Sequence, residues 1–397
     1  MVEGNAIFKA LKEDAPKQVE ARRVAFLRRI AALAMIAGLL LSPNLWVSSR
    51  TYPLIPLFDF VPPLSYPLDY ALFGLFILLV SGVAVFGGQR VAGWFAVAAV
   101  VLAALLALQD ISRLHPWFYQ YSFMLAAVGL FGLGRLSAEG ALNTCRLIVA
   151  FTYLWSGLQK ANESFVSMVY PWLIEPLAHH LPTNVHDALS YGAYAVPAIE
   201  AAIGLGLLVR PTRKPAAVGA FLMHAFILLC LGPWGRDWNS VVWPWNLAMI
   251  AFVFILFWQP ADNPRPKDIL LPRQSFSIGT SFRVCVLILF AFMPLFSFFG
   301  LWDSYLSASL YSGNLKNAKV LTWNGSAWTS TSIQDLSIKE TGVPPYPEEY
   351  VFKTVFAKRW CDQSGPPKSI LWMTSKPDIL TGARSAAVFR CQDVQRE

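Results

Sequence analysis

The segment YLWSGLQKANESFVSMVYPWL, residues 153–173, ends an apolar run with a lysine and then becomes aromatic and interrupted by proline. The run that precedes it, from Leu147 onward, is apolar, so we expect Lys160 near a membrane boundary or in a water-filled cavity. An ammonium group there is costly unless it is paired, hydrated or neutral. The Lys160 side chain therefore either extends to water or takes part in a reaction. After it, residues 171–177 predict a short re-entrant segment or interfacial lid.

The composition of the whole chain is that of a membrane protein. Of its 397 residues, 55% are hydrophobic and 14% are charged, whereas soluble proteins average about 25% charged residues. Several apolar runs have the roughly 20 residues that a helix needs to cross a bilayer. They are continuous and do not alternate with polar residues, which excludes a β-barrel. The net charge of +8 comes from basic residues in particular loops, so it predicts topology and no nucleic-acid partner.

The apolar runs predict an all-α polytopic membrane bundle of about nine transmembrane helices, followed by a small extracytoplasmic β-rich domain. Residues 1–29 form a basic cytoplasmic segment, residues 30–302 the bundle, and residues 303–397 a linker and the β-rich domain. The nine spans are expected at 30–47, 68–86, 91–108, 117–134, 143–161, 189–209, 215–232, 240–258 and 282–302.

The distribution of basic residues supports this topology. With a cytoplasmic N-terminus, 17 lysines and arginines fall in segments on the inner side and four fall in the outer loops that precede the C-terminal tail. Because cytoplasmic loops carry an excess of Lys and Arg, this bias favours a cell or inner membrane protein with its C-terminus outside.

The C-terminal tail is different in character. Strand-like runs occur at 322–333, 350–360, 369–375 and 386–391, between Gly and Pro turns. Cys361 and Cys391 pair if the tail is in an oxidising compartment, and they stay unpaired if it is in a reducing one. No cysteine or histidine spacing predicts a metal site, and the Walker, GxSxG and HExxH motifs are absent.

Polar residues gather at the predicted outer ends of the spans. They comprise Asp110, Arg113, His115, Asn162, Trp238 and Asn239, together with Lys160. This clustering predicts a polar, aromatic-lined cavity that opens outward and binds a substrate. For Asp110 and Arg113, a salt bridge within the loop is an equally good interpretation.

Two ionisable residues lie deeper, inside predicted spans. Glu200 interrupts the sixth span and His224 the seventh. A carboxylate there costs about 2.5–3.5 kcal/mol on insertion scales, so it should face the bundle interior and have a partner. We expect His224 as that partner, with Arg113 and Lys160 as competitors. The pair is either a buried structural contact or a catalytic relay.

Aromatic residues at the outer ends of spans form a further candidate group, which consists of Trp117, Tyr119, Trp243 and Trp245, with Asn246 beside them. Such residues form interfacial belts in many membrane proteins. The alternative is that they stack on a flat lipophilic ligand such as a quinone.

These residues resemble a known family. The order Tyr153, Ser156, Gly157, Lys160 and Asn162 is similar to the helix-end motif of the vitamin K-dependent gamma-carboxylase and its bacterial relatives, the horizontally transferred transmembrane (HTTM) proteins. His224 followed by WPWNLAM resembles a later helix pair of that family, and LYSGN at 310–314 resembles the segment that leads into its lumenal part. The resemblance implies that Lys160 is the base that activates a hydroquinone.

The chain also departs from that family. Where the carboxylase has a catalytic histidine followed by Ser-Tyr, this chain reads PWFYQYSF at 116–123, and His115 does not align with that histidine. Most of the lumenal region that binds the substrate is missing as well. The helical layout is loosely similar to that of DoxX-like membrane proteins.

Three functions remain open from the sequence. The first is a carboxylase-like membrane enzyme that uses Lys160 and a reduced quinone, with Glu200 and His224 as an internal relay. The second is a non-enzymatic subunit or scaffold that binds a quinone, a lipid or another lipophilic ligand, and meets an extracytoplasmic peptide or protein. The third is a transporter with a proton relay through Glu200 and His224.

Overall fold

The computed structural model describes residues 2–179, 181–258, 263–272, 277–361, 368–379 and 381–394. The part before residue 300 is helical, with α1 (Val2–Leu41), α2 (Leu68–Val85), α3 (Gln89–Gln109), α4 (Pro116–Gly132), α5 (Ala138–Gln159), α6 (Tyr170–Ala178), α7 (Thr183–Leu208), α8 (Arg213–Leu231), α9 (Val242–Phe257), α10 (Pro266–Leu270) and α11 (Ile278–Leu287). The rest contains β1 (Asn317–Trp323), β2 (Trp328–Ser332), α12 (Ile333–Thr341), α13 (Glu349–Phe356), β3 (Ser369–Thr374), β4 (Ala386–Arg390) and α14 (Cys391–Val394).

The helical part confirms the prediction of an apolar membrane-type bundle. Within the described ranges, six segments are long and apolar enough to cross a membrane: Gln18–Leu41, Leu68–Val85, Gln89–Gln109, Thr183–Leu208, Arg213–Leu231 and Ile278–Phe299. The first of these is part of α1, so the basic N-terminal segment continues directly into the first apolar helix.

Six of the described segments have the length and composition that a membrane crossing requires, whereas the sequence predicts nine crossings. The remaining three predicted spans fall on α4, α5 and α9. With 17 and 16 residues, α4 and α9 are shorter than the roughly 20 that a crossing needs. The 22-residue α5 carries Glu139 and Arg146 and is buried along most of its length.

Helix α5 lies at the centre of the bundle. It contacts α1, α4, α7, α9 and α11. The guanidinium of Arg146 is fully buried and donates to the Leu256 carbonyl oxygen at 2.9 Å and to Asn143 Oδ1 at 2.6 Å. A helix enclosed by other helices can carry such polar groups, because protein atoms satisfy them in place of water.

Two glycines set the distance between α5 and α7. A Cβ atom on Gly157 of α5 would lie 2.4 Å from the Ala201 nitrogen, and one on Gly204 of α7 would lie 2.5 Å from the Leu154 nitrogen. Any larger side chain would push the helices apart. Small residues at both crossing points therefore let the two backbones touch.

The C-terminal part contains an antiparallel sheet in the order β2-β1-β3-β4. The strand-like runs at 369–375 and 386–391 correspond to β3 and β4. The run at 322–333 covers β2 and only the last two residues of β1, and the run at 350–360 is not a strand. That run forms α13 and the following turn of π-helix. Its buried residues are spaced as on one face of a helix, namely Val351, Phe352, Val355 and Phe356.

The sheet packs on one end of the bundle. A single apolar cluster joins Val320 and Leu371 of the sheet to Leu231 and Val242 at the ends of α8 and α9. The predicted disulfide between Cys361 and Cys391 is present, with a Cα–Cα distance of 5.4 Å. It joins the end of the π-helical turn that follows α13 to the first residue of α14.

Candidate functional site

The site centres on an ion pair between α5 and α7. Lys160 follows the last residue of α5, and its Nζ lies 2.8 Å from Glu200 Oε2. The two side chains are only 12% and 7% exposed. Lys160 Nζ also donates to Ser156 Oγ at 2.6 Å and to the Ser156 carbonyl oxygen at 3.2 Å. Lys160 is therefore the partner that Glu200 requires.

The close contact of α5 and α7 places these two side chains together. Gly157 and Lys160 are three residues apart, and so are Pro197 and Glu200, so each pair lies on one side of its helix. Gly157 packs against the carbonyl oxygen of Pro197. The glycine that allows the helices to touch thus lies one turn before the lysine of the ion pair.

His224 has other partners than the predicted one. Its Nε2 lies 2.6 Å from the Tyr153 hydroxyl, and its Nδ1 lies 2.6 Å from Asn246 Oδ1. Asn246 Nδ2 donates to the Val242 carbonyl oxygen, which leaves Oδ1 as the acceptor toward the ring. Nδ1 therefore carries the proton, and in the neutral ring Nε2 accepts from Tyr153.

These groups line one cavity of about 120 Å³, which we call the lysine cavity. Its polar lining consists of Thr152, Tyr153, Ser156, Lys160, Glu200, His224 and Asn246. The remainder is apolar or aromatic and includes Phe165, Tyr170, Leu173, Phe226, Trp245 and Leu310. Of the predicted site residues, the structure brings Lys160, Glu200, His224, Trp245 and Asn246 together here.

A second and larger space of about 490 Å³ lies between the bundle and the sheet, and we call it the sheet-side groove. It is lined by Trp172, Trp238, Lys316, Lys319, Trp372 and Arg384, among others. Tyr311 and Leu310 line both the groove and the lysine cavity. These two residues therefore form a wall shared by the two spaces.

Tyr311 is held in this wall by Asn239. Asn239 Nδ2 donates to the Tyr311 hydroxyl at 2.8 Å. Both residues have left-handed backbones, with φ of 50° at Asn239 and 54° at Tyr311. Asparagine tolerates that conformation, whereas tyrosine adopts it at a cost. Burial raises the pKa of Tyr311, so its hydroxyl stays protonated.

Asp110 and Arg113 are bonded within the loops beside the bundle and do not line the lysine cavity. Asp110 pairs with Arg50, and it also accepts from the Ser112 nitrogen at 3.1 Å. Arg113 donates to three carbonyl oxygens, those of Leu45, Trp46 and Leu106. The predicted salt bridge of Asp110 is thus made to a different arginine.

His115, Trp117 and Tyr119 also lie away from the lysine cavity. The His115 ring is 1% exposed and packs on Tyr305, with ring centres 5.0 Å apart. Its burial lowers the pKa of His115 to about 3. Trp117 is buried among the aromatic residues of the bundle, and Tyr119 stacks on Phe290.

The remaining predicted residues hold the site's surroundings. Asn162 accepts from the Phe165 nitrogen and donates to the Ser312 carbonyl oxygen, which joins the end of α5 to the segment before β1. Trp238 packs on Trp172 and lines the groove. Trp243 Nε1 donates to a carbonyl oxygen at the end of α8.

Three residues of the site received no functional role from the sequence, namely Tyr153, Ser156 and Tyr311. The spacing of Tyr153, Ser156 and Lys160 places them on one face of α5, and this signal was available. Nothing in the sequence around Tyr311 indicates that it separates two cavities.

Comparisons with protein-family models, with curated proteins and with solved structures each give no match for this chain. In the part of the chain that the structure describes, no group of three or more His, Cys, Asp or Glu residues could hold a metal ion. The lysine cavity is the candidate functional site, because it gathers the buried ion pair and His224.

Proposed function

We propose that this chain is a carboxylase-like integral membrane enzyme, related to the HTTM proteins, that accepts a proton from a reduced quinone in the lysine cavity. The observation that carries the proposal is the Lys160–Glu200 ion pair in the wall of an otherwise largely apolar cavity. Buried ionisable residues inside a membrane bundle are functional candidates by default.

The lining of the lysine cavity suits the headgroup of a quinone. Phe165, Phe226 and Trp245 offer apolar and aromatic surface. Lys160 and Glu200 offer polar atoms at one place in that surface. Ligand sites of this kind combine a mostly apolar lining with a few polar groups that fix orientation. When bound, a reduced quinone would supply an acidic hydroxyl and two reducing equivalents, which dioxygen would accept.

Lys160 and Glu200 act as a unit in this proposal. A proton can move between Nζ and Oε2, because the two atoms lie 2.8 Å apart. Once the pair has accepted one proton, it holds an ammonium and a neutral carboxyl group. Ser156 Oγ holds Nζ toward the cavity throughout. A base must lie within hydrogen-bond reach of the proton that it takes, and Lys160 lines the cavity in which the hydroxyl would bind.

We assign His224 a positioning role. It does not pass protons directly to Glu200. Its two nitrogens are both engaged, by Asn246 and by Tyr153. These hydrogen bonds orient the Tyr153 hydroxyl. Tyr153 lines the cavity and lies about two turns before Lys160. Tyr153 and His224 therefore orient the ligand while the ion pair takes the proton.

The second substrate would approach through the sheet-side groove. We assign to it an extracytoplasmic peptide or protein, because the groove is large and lies where the sheet meets the bundle. Asp110 and Arg113, which the sequence analysis assigned to this substrate, are bonded elsewhere. In their place, we assign contacts with the second substrate to three tryptophans of the groove, Trp172, Trp238 and Trp372.

We further propose that the N-terminus is cytoplasmic, that α4, α5 and α9 complete nine crossings, and that the sheet lies outside. The bias of basic residues supports this orientation. The Cys361–Cys391 disulfide supports it independently, because disulfides persist in oxidising compartments.

A second candidate is a non-enzymatic subunit that binds a quinone or lipid. It is favoured by one observation: the principal polar groups of the lysine cavity are already bonded to one another. A protein of this kind would retain the ligand without consuming it.

The test is the rate of hydroquinone consumption by purified protein in lipid nanodiscs. Lys160→Ala should lower the rate by about 10²–10⁴-fold. Lys358→Ala is the control, since Lys358 contacts the Leu54 carbonyl oxygen far from the cavity. Equal rates for wild type and Lys160→Ala would remove Lys160 from the mechanism. Ligand retention without any consumption would establish the non-enzymatic alternative.

A further inference from the structure

A third cavity, of about 240 Å³, lies where α1, α3 and α4 meet. Arg22 and Arg28 line it from α1, Gln89 lines it from the start of α3, and Phe131 and Gly132 line it from the end of α4. No aspartate or glutamate is among its lining residues. The proposed catalytic groups do not use this cavity, which we call the arginine pocket.

Arg28 is the most informative residue of the arginine pocket. It is only 4% exposed. One terminal nitrogen donates to the Phe86 carbonyl oxygen at 2.7 Å, but Nε is buried without a partner among the described residues. A buried cation costs free energy unless a counter-charge or further hydrogen bonds satisfy it. Among the described residues, no aspartate or glutamate lines the pocket with this guanidinium.

The start of α3 adds a second favourable group. Gly88 precedes Gln89 at that end and supplies no side-chain cap. The first N–H groups of a helix lack intrahelical partners and carry partial positive charge, so they attract anions. Arg22, Arg28 and this helix start thus present positive charge to one space.

The surface beside the pocket is apolar. Val85, at the end of α2, is 75% exposed, and Trp94, on the first turns of α3, is 58% exposed. Exposed apolar side chains on membrane-type helices face acyl chains, and tryptophan is typical of the interface between acyl chains and headgroups. The pocket therefore lies at the level where a lipid phosphate would be found.

We propose that the arginine pocket binds the phosphate of an anionic phospholipid. The guanidinium group of Arg28 and the N–H groups at the start of α3 contact the phosphate oxygens, and Arg22 supplies a second positive charge. Guanidinium groups bind phosphate oxygens through charge-assisted hydrogen bonds. The acyl chains lie along the exposed apolar face of α2 and α3. The proposal is independent of the chemistry in the lysine cavity.

The test is native mass spectrometry of the full-length protein, titrated with three probes. These are phosphatidylglycerol, phosphatidylcholine and inorganic phosphate. We expect one phosphatidylglycerol to bind at least about fivefold more tightly than phosphatidylcholine, because each nearby arginine contributes about 1 kcal/mol toward an anionic lipid. Equal affinity for the two lipids would overturn the proposal, and binding of inorganic phosphate as tight as that of phosphatidylglycerol would exclude a lipid site.

Two variants and one control locate the binding. Arg28→Gln should weaken phosphatidylglycerol binding about tenfold or more, since it removes a buried charge-assisted contact. Arg22→Gln should weaken it less. Because Arg22 is exposed and forms no hydrogen bond or ion pair with the described residues, this variant remains informative if Arg28→Gln folds poorly. Arg29→Gln is the control, because Arg29 is exposed, adjacent and absent from the pocket lining. A loss for Arg29→Gln that equals the losses for both other variants would mean that surface charge alone attracts the lipid.

Discussion

Lys160 Nζ and Glu200 Oε2 form an ion pair at 2.8 Å between the end of α5 and the middle of α7. Both side chains are almost fully enclosed, and they face a cavity that also contains His224 and Asn246. Such a pair contributes little net stability, because the cost of removing two charges from water offsets their attraction. The pair is thus better suited to proton chemistry than to holding the fold.

The first prediction concerns the energetic coupling of this pair. Lys160→Met leaves the Glu200 carboxylate buried without its partner, so we expect a loss of about 3–5 kcal/mol in the free energy of unfolding. Lys160→Met combined with Glu200→Gln should recover part of that loss. Thermal unfolding in detergent, followed by tryptophan fluorescence, measures both. Additive effects of the two substitutions would mean that the groups do not interact.

The second prediction concerns the contact between α5 and α7. Gly157→Ala places a Cβ atom against the backbone of α7, so it should destabilise the protein by about 1–3 kcal/mol and separate the ion pair. Gly74→Ala in α2 is the matched control, because nothing lies within 4 Å of its added Cβ. There the substitution should stabilise by about 0.5–1 kcal/mol through helix propensity. Similar unfolding temperatures for the two variants would contradict the packing described for Gly157.

The third prediction concerns acid stability. The folded-state pKa of His115 is about 3, and an unfolded histidine titrates near 6.5. Between these values the unfolded chain binds the proton and the folded chain does not, so stability falls as the pH is lowered through this window. The slope attributable to His115 is about 1.4 kcal/mol per pH unit.

His115→Gln removes the titrating ring and should flatten this pH dependence by that amount. The comparison is between the unfolding temperatures of the wild type and the variant from pH 8 to pH 4. If both curves fall in parallel, His115 takes up its proton at the same pH in the folded and unfolded states, and its burial does not have the stated effect.

The fourth prediction concerns orientation in the membrane. In a Cys285→Ser background, a cysteine at Ser326, in the turn between β1 and β2, should react with a membrane-impermeant maleimide added to intact cells. A cysteine at Lys214, at the start of α8, should react only after the cells are opened. The reverse pattern would place the sheet in the cytoplasm.

Much of this site could be predicted from the sequence, because ionisable residues are costly in apolar helices and are therefore easy to recognise as functional candidates. Lys160, Glu200 and His224 are ionisable groups in otherwise apolar runs, and all three line one cavity. Their pairing could not be predicted, because it depends on the close contact at Gly157 and on the resulting position of α7 relative to α5. Apolar residues that recur every 3.6 positions predict a helix, but they do not specify which helices touch.

Two errors have physical causes. Asp110 and Arg113 are close in sequence and looked like a pair, but Arg50 from a distant loop supplies the counter-charge of Asp110. The run at 350–360 is rich in β-branched and aromatic residues, yet its apolar side chains match one face of α13. In the first case a tertiary contact outweighed proximity in sequence, and in the second the helical spacing of the apolar residues outweighed their strand propensity.

The central claim is that Lys160 and Glu200 together take a proton from a reduced quinone. Its most direct test is the rate of hydroquinone consumption by the wild type and by Glu200→Gln, an isosteric change that keeps Lys160 in place. We predict a loss of about 10²–10⁴-fold in rate, with hydroquinone still bound in equilibrium dialysis. A Glu200→Gln rate equal to that of wild type, or a wild-type rate no higher than that of protein-free nanodiscs, would contradict the account.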